Sequence, residues 1–394
     1  MSPTDSLWLS TLSAGDRQEL TTLPQAELLP TPDVLVVGAG IVGLATAYYL
    51  AEQGAKVQVI EAESIAAGAS GTNAGGVWPN DQGPAHGPGF QDLAFMSRDL
   101  WGRLSLRPGF ELDWRVNGFL NVNPERFRPS AAEVATTYQN QGYTVHAVDS
   151  EQVARLEPQL RPGLAAGLHY PSEAHLHPVK AALSFARAIR ARGSRIACGV
   201  SAVAGTCEGN RLTAVETSGG RCTPRFVVSA TGWTTAWMAP FAGALPPLRP
   251  VGGQLLASAP QPPVLKGTVA GDYLILQLRT GEIVTGGTLR ESADLAPDPE
   301  LTKKIAAAAR DLIPALRHVE FNRVWCGLRS ATPDGLPVID RLPTVGNLFL
   351  ASGHFRNGVL LAPATGKLLS EWIHQDTQPA ELVPFGADRF PARA

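Results

Sequence analysis

The apolar residues of this chain fall into short runs, and most runs end in a glycine-bearing turn or open into a stretch of helical period. The first is Val34-Leu35-Val36-Val37, beginning after Asp33, a β-branched run of the kind that forms a strand buried on both faces. Behind it the spacing predicts a helix from Ile41 to Gly54, and the run Lys56 to Ile60 predicts a second strand. Phe226 to Ser229 repeats the buried-strand pattern. Phe349 to Ala351 does so again, ahead of a helix from about Val359 to His374. A further helix is predicted over Pro178 to Arg192, directly after His175-Leu176-His177. Trp114 to Val122 and Tyr273 to Thr288 have strand composition with glycine turns, and Leu274 to Val284 reads as a hairpin.

The junction between the first strand and helix is Gly38-Ala39-Gly40-Ile41-Val42-Gly43. In a strand–turn–helix, Gly38 permits the tight turn, Gly40 lets backbone N–H groups approach a pyrophosphate, and Gly43 lets the helix pack on the strand. The positive helix end then faces the phosphates. Glu61 follows the second strand, 18 residues after Gly43, where a carboxylate can accept both ribose hydroxyls of an adenosine. This unit implies a dinucleotide and leaves NAD and FAD both open. The stretch Gly68 to Gly76 is long and rich in bare backbone amides, suited to wrapping the remainder of a cofactor as long as FAD, or otherwise a surface loop.

Taken together, the glycine turn with Glu61, the Ala230-Thr231-Gly232 turn, the run from Arg329 to Asp340 and the C-terminal G-H-F-R-N-G-V-L-L-A-P-A-T-G resemble the D-amino-acid oxidase superfamily of flavoproteins. The last motif is most similar to the glycine oxidases of thiamine biosynthesis. The resemblance extends over most of Asp33 to His374. It implies an α/β fold: a Rossmann-like FAD-binding domain with an inserted α+β substrate domain built on an antiparallel sheet. The FAD-binding domain would be discontinuous, over 32–110, 165–235 and 321–394, and the substrate domain would take 111–164 and 236–320. It also implies that Gly38, Gly40 and Gly43, with Ile41 and Val42 between them, sit at the pyrophosphate, and Glu61 on the adenosine ribose. Ser70, Asn73, Ala74, Gly75 and Gly76 would line the pyrophosphate, ribityl and flavin-ring side. Val200 would contact adenine through its backbone, Gly232 would lie near the adenosine half, and Arg356, Asn357, Gly358 and Val359 would flank the pyrimidine edge of the flavin.

For catalysis the resemblance places Arg329 on a substrate carboxylate, a role its planar fork suits. Tyr273 is the second candidate, although it stands one residue earlier than the glycine oxidase pattern, with Leu274 in the expected place. Because neighbouring strand residues face opposite ways, that offset decides whether the hydroxyl sees the flavin. His354 and Arg356 either orient substrate or hold the turn. Cys326 lies one residue from the position through which some relatives attach flavin, so the FAD is expected to be non-covalent and the thiol buried.

Composition narrows the partners. Lys and Arg total 33 against 35 Asp and Glu, a net charge of −2, which leaves nucleic acid no clustered cation excess to bind. Four scattered cysteines contain no C-x-x-C, arguing for a reducing, cytoplasmic location without a disulfide scaffold or zinc knuckle. His175 and His177 lack further ligands nearby, so no metal is expected. No apolar run reaches the roughly 18 residues of a membrane span. Residues 1–31 read as a loosely held arm, and the proline-rich Ala244 to Pro263 as a connector. The expected function is FAD-dependent oxidative deamination of a small amino acid of the glycine, sarcosine or D-amino-acid type, with O2 reduced to H2O2. The alternatives are a D-amino-acid or proline-type dehydrogenase passing electrons to a quinone or carrier, and a non-catalytic flavin-binding assembly protein. The glycine oxidase resemblance also implies a homo-oligomer.

Overall fold

The computed structural model describes residues 6–22, 27–241 and 245–390. Two large sheets organise it. The first has six strands in the order Val338–Arg341, Leu348–Ser352, Phe226–Ser229, Val34–Val37, Val57–Glu61 and Arg195–Cys198; all are parallel except the first, which runs antiparallel to its neighbour. The continuous apolar run of the central strand has a direct cause, because both of its faces are covered. Val34 and Val36 point to a core shared with the helices Ile41–Glu52, Pro178–Arg190 and Gly358–Gln375, while Leu35 and Val37 point to a second core with Leu212, Val215 and Leu350. The second core is roofed by a small antiparallel sheet of Ala202–Glu208, Arg211–Thr217 and Gly220–Cys222.

The other large sheet has eight strands, in the order Phe321–Ala331, Arg249–Ser258, Ile283–Gly286, Leu274–Gln277, Thr268–Ala270, Phe119–Asn121, Ala166–Tyr170 and His146–Asp149. Its pairs are antiparallel except Thr268–Ala270 with Phe119–Asn121. The helix Pro299–Leu312 covers one face, with Ile305 against Leu256 and Leu312 in a cluster with Ile275. The opposite face looks across a cavity toward the glycine turn of the parallel sheet.

Three expectations are corrected. Residues 249–258 are not connector but a ten-residue strand bonded along its length to Phe321–Ala331. Pro250 is tolerated because backbone pairing on the other side begins only at Gly252, which exchanges bonds with Arg290, so its missing N–H deprives no second neighbour; Ala244 lies outside the described residues. Ala166–Tyr170 and Phe321–Ala331, expected with the flavin segments, belong to the eight-stranded sheet, since their backbone partners are there. Of the expected arm, residues 6–22 are docked rather than loose, and residues 1–5 and 23–26 lie outside the described residues. Leu7, Trp8 and Leu12 are buried in the main core, and Arg187 forms ion pairs with Asp16 and Glu19.

Candidate active site

Both sheets open onto one cavity of about 910 Å³, and residues from every motif segment line it. At one end the chain leaves Val37 through Gly38, whose φ of +107° is reserved in practice for glycine. A Cβ there would stand 2.6 Å from the Ala230 carbonyl oxygen, and one on Gly43 would stand 2.1 Å from the Gly38 oxygen. The strand–turn–helix closes only with both side chains absent. Gly40, Ile41 and Val42 reach the cavity wall; Gly43 does not, and its part is this close packing.

Glu61 lines the same end. Its carboxylate accepts from the N–H of Ala39 at 2.8 Å and of Glu63 at 3.0 Å, which fixes the side chain while leaving lone pairs for further donors. Val200, on the other wall, donates its N–H to the Glu61 carbonyl, and Gly232 closes this end.

The segment 68–76 forms the middle of the cavity. Ser70 Oγ accepts from the Ile41 N–H at 2.8 Å, tying the loop to the helix start. Asn73 turns its side chain onto its own loop, donating to the carbonyls of Ala69 and Ser70 and accepting from Gly75 N–H at 2.7 Å, so what it presents to the cavity is backbone. Ala74, Gly75 and Gly76 continue the wall; at Gly75 a Cβ would meet the Leu176 carbonyl at 2.1 Å.

The other end is cationic. Arg329, on the strand Phe321–Ala331, lies across Gly253 of the neighbouring strand, where any Cβ would stand 2.1 Å from its guanidinium. Its Nη1 donates to the carbonyls of Thr288 at 3.0 Å and Gly252 at 3.3 Å, and among the described residues no carboxylate pairs with it. Burial, with a smaller contribution from the Arg356 charge, pushes its pKa down to about 10. Arg356 has no hydrogen-bond or ion-pair partner among the described residues. It is exposed, and what it faces is the open cavity. Burial lowers its pKa, Asp81 opposes that shift, and Arg126 adds to it. Asn357 sits at the start of the helix Gly358–Gln375 with its Nδ2 buried and without an acceptor, and Gly358 and Val359 complete this wall.

His354 lines the floor but is committed to structure on one side: Nε2 meets Thr365 Oγ1 at 3.1 Å, and burial pushes its pKa down to about 4, keeping the ring neutral. Tyr273 stands in the bend just ahead of the strand Leu274–Gln277. Its ring packs on the cluster of Leu256, Ile305 and Ala306 under the helix Pro299–Leu312, whereas Leu274 packs on the cluster of Phe119 and Tyr170. Tyr273 and Leu274 both border the cavity, with the Tyr273 ring packed toward the helix Pro299–Leu312. Cys326 is buried, its thiol 3.8 Å from Gln254 Oε1, with burial raising its pKa. His175 bonds Asn117 and His177 bonds Thr11, so the two rings serve different neighbours.

Among the lining residues that sequence reasoning missed, four carry polar groups into one corner. Asp81 and Arg126 face each other at 3.5 Å, Asn121 stands beside them on the cavity wall, and Trp78 has a buried indole N–H without an acceptor. None lies in a recognisable motif; Glu173, fully buried, accepts from the N–H groups of Asn80 and Asp81 and so orients the short helix that carries Asp81.

Comparison with known proteins agrees with this geometry. Hydrogen cyanide synthase subunit HcnC of Pseudomonas aeruginosa is 26% identical over 404 residues, spanning 91% of this chain and 96% of that protein. Glycine oxidase of Bacillus subtilis is 27% identical, spanning 91% and 97%. The crystal structure of glycine oxidase from Geobacillus kaustophilus superposes with a TM-score of 0.85 at 24% identity, over 92% of this chain and all of that one. A family model described as FAD dependent oxidoreductase matches residues 33–372, the whole span over which the glycine turn, the loop 68–76 and the cationic wall were traced, and the chain belongs to that family.

Proposed function

We propose that this protein oxidises the C–N bond of a small amino acid, and that Arg329 receives the substrate carboxylate. The cavity fits the cofactor: glycines whose Cβ atoms would collide with backbone stand at one end, a fixed carboxylate lies beside them, and a buried Asn357 amide without an acceptor stands at the other. The turn Gly38 to Val42 and Ser70 would hold the pyrophosphate, Glu61 the ribose, Val200 and Gly232 the adenosine half. The loop 73–76 and Asn357 to Val359 would hold the flavin. When bound, FAD supplies the two-electron acceptor for a hydride leaving the substrate α-carbon.

The protein's own task is then orientation. Arg329, immobilised by two carbonyls, offers its remaining N–H edge to a carboxylate, and Arg356 adds a second cation that draws the same anion in. With the carboxylate fixed, the α-carbon is confined, and holding a reacting bond in an aligned geometry is worth many orders of magnitude in effective concentration. No general base is needed if the amine binds neutral. His354 is neutral and bonded to Thr365, and the Tyr273 ring faces the helix side, so neither is assigned a proton transfer. The first turn of the helix Gly358–Gln375 directs its positive end to the cavity, where it favours negative charge. The released imine hydrolyses in water to a keto acid and ammonia or amine.

The observation that carries this reading is the Arg329 guanidinium: half-buried, without a carboxylate partner among the described residues, and opening on the cavity that contains the dinucleotide turn. The relatives that match along the same length include glycine oxidases, which supports an amino-acid substrate. Anaerobic mixing of the flavin-loaded protein with glycine, sarcosine, D-alanine, D-proline and L-proline tests it. Bleaching of the flavin band by at least one is expected; rapid return of colour in air with peroxide identifies oxygen as acceptor, and slow return a separate electron carrier. If dithionite bleaches the flavin and none of the amino acids does, the reading fails.

A further inference from the structure

Two indole N–H groups from opposite ends of the chain hold consecutive carbonyls of the cofactor loop. Trp325 Nε1 donates to the Thr72 oxygen at 3.0 Å, and Trp8 Nε1 donates to the Asn73 oxygen at 2.7 Å. Both rings are buried, at 0% and 1% exposure, and neither belongs to the cavity wall, whereas Thr72, Asn73 and Ala74 do. The two carbonyls are therefore drawn away from the cavity.

Peptide planarity converts that into a statement about donors. In a trans peptide the N–H points opposite to the C=O of the same plane. The carbonyl of Thr72 shares its plane with the N–H of Asn73, and that of Asn73 with the N–H of Ala74, so both N–H groups are turned toward the cavity. Neither has an acceptor among the described residues, although the N–H groups of Thr72 and Gly75 on either side are satisfied within the loop by Ala69 and Asn73. Two adjacent free donors on a cavity wall form a concavity suited to an acceptor-rich ligand.

The Trp8 contact is the less expected half, because it lies outside residues 33–372, over which the family model matches. The segment carrying Trp8 is anchored on both sides of the cofactor loop. Arg323, on the eight-stranded sheet, donates to the Ser6 carbonyl at 3.3 Å. Thr11 Oγ1 and His177 Nε2 meet at 3.1 Å, with the Trp8 and His177 ring centroids 4.8 Å apart, and His177 caps the helix Pro178–Arg190 through Nδ1. Arg187, further along that helix, pairs with Asp16 and Glu19. The N-terminal segment thus runs as a strap from one sheet to the helix layer of the other, crossing behind residues 72 and 73.

We propose that Trp8 is a positioning residue for FAD: with Trp325 it orients the Thr72–Asn73 and Asn73–Ala74 peptides so that their N–H groups face the bound cofactor, making the N-terminal strap part of the cofactor site. This holds whichever amine is oxidised.

Trp8→Phe keeps an aromatic ring in the core and removes the donor. FAD titrated into the apoprotein, followed by quenching of flavin fluorescence, is expected to show a Kd raised about fivefold to tenfold, the effect of losing the hydrogen bond that the no longer oriented Ala74 N–H would make to the cofactor. The melting temperature of the apoprotein should stay within a degree or two of the parent. Thr11→Val is the control, since it loosens the strap at His177 without touching the loop carbonyls; its FAD Kd should be unchanged. Trp325→Phe should reproduce the Trp8→Phe shift, and serves if the Trp8 variant does not fold. An unchanged Kd in the folded tryptophan variants, or equal losses in Trp8→Phe and Thr11→Val that follow the melting temperature, would overturn the proposal.

Discussion

Removing the Arg329 guanidinium isolates the interaction on which the substrate assignment rests. Arginine has five N–H donors; here Nη1 is engaged by the Thr288 and Gly252 carbonyls, leaving the Nε and Nη2 groups for a carboxylate. Hydrogen bonds to charged groups contribute about 1.5 to 3 kcal/mol each. Part of that is lost because Arg356, which no longer has a like charge beside it, can take over some of the anion's field. A net loss of roughly 2 to 3 kcal/mol for Arg329→Ala corresponds to about a 30- to 150-fold fall in kcat/KM, at tenfold per 1.4 kcal/mol. Arg329→Lys keeps the charge without the fork and should lose about tenfold. FAD affinity should not change in either, since Arg329 bonds none of the turn or loop residues that would hold the cofactor. The freed Thr288 and Gly252 carbonyls border an open cavity and can be hydrated, so folding should be largely preserved. The assay is the anaerobic rate of flavin bleaching against substrate concentration, with FAD titration in parallel. A kcat/KM within twofold of the parent, at full flavin occupancy, would refute the carboxylate role.

Other consequences can be checked separately. Tyr273→Phe should leave kcat/KM within about twofold, because the ring packs under the helix Pro299–Leu312 and the substitution keeps that packing; a tenfold loss in steady-state turnover would show that the hydroxyl reaches substrate after all. Gly43→Ala places a Cβ 2.1 Å from the Gly38 oxygen, so the dinucleotide turn must open, and FAD Kd should rise by at least about tenfold, measured by titration of the apoprotein. Stability should fall in acid. His175, His177 and His354 are all pushed down to about 4 by burial, so the folded state resists protons that the unfolded chain accepts near pH 6.5. Their contribution is complete above pH 6.5 and is lost as pH falls toward 4, amounting to roughly 2 kcal/mol each at pH 5. Glu173, pushed up to about 8 by burial against the pull of its backbone donors, acts in the opposite sense and offsets about one of the three. Urea midpoints at pH 7 and pH 5 should show the net decrease, and a midpoint that does not move would count against the neutral histidines.

Legibility from sequence tracked how local each constraint is. Gly38, Gly40, Gly43 and Glu61 could be read because strand, turn, helix and acid follow one another in the chain, and the collisions that demand glycine involve backbone only a few residues away or at the adjacent Ala230 turn. The helices Pro178–Arg190 and Gly358–Gln375 and the hairpin strands Leu274–Gln277 and Ile283–Gly286 ended within two residues of the reading, since period and turn chemistry are local as well. Arg249–Ser258 reads as connector because its prolines and glycines mask a strand whose justification is its ten partners in Phe321–Ala331, more than sixty residues away. The strands Ala166–Tyr170 and Phe321–Ala331 carry no mark of which sheet they join; that is decided by their backbone partners alone. Asp81 and Arg126 meet across 45 positions, a pairing that neither flanking sequence encodes.

Tyr273 and Trp8 show the two ways in which a motif and a site diverge. Tyr273 stands one position ahead of where the glycine oxidase pattern puts its tyrosine, in the bend before the strand Leu274–Gln277, and its ring packs under the helix Pro299–Leu312, so similarity of composition there does not amount to similarity of chemistry. Trp8 is the converse. It lies beyond the family's matched span and in a segment whose composition suggested a loose arm, yet Leu7, Trp8 and Leu12 together bury enough apolar surface to dock it, and docking brings an indole N–H to the carbonyl of Asn73. A chain reduced to residues 33–372 would keep every glycine of the cofactor turn and loop, Glu61, Arg329 and Arg356, and would still leave the Asn73–Ala74 peptide without the donor that orients it. In this protein the cofactor cavity is completed by a contact that belongs to the fold rather than to the motif.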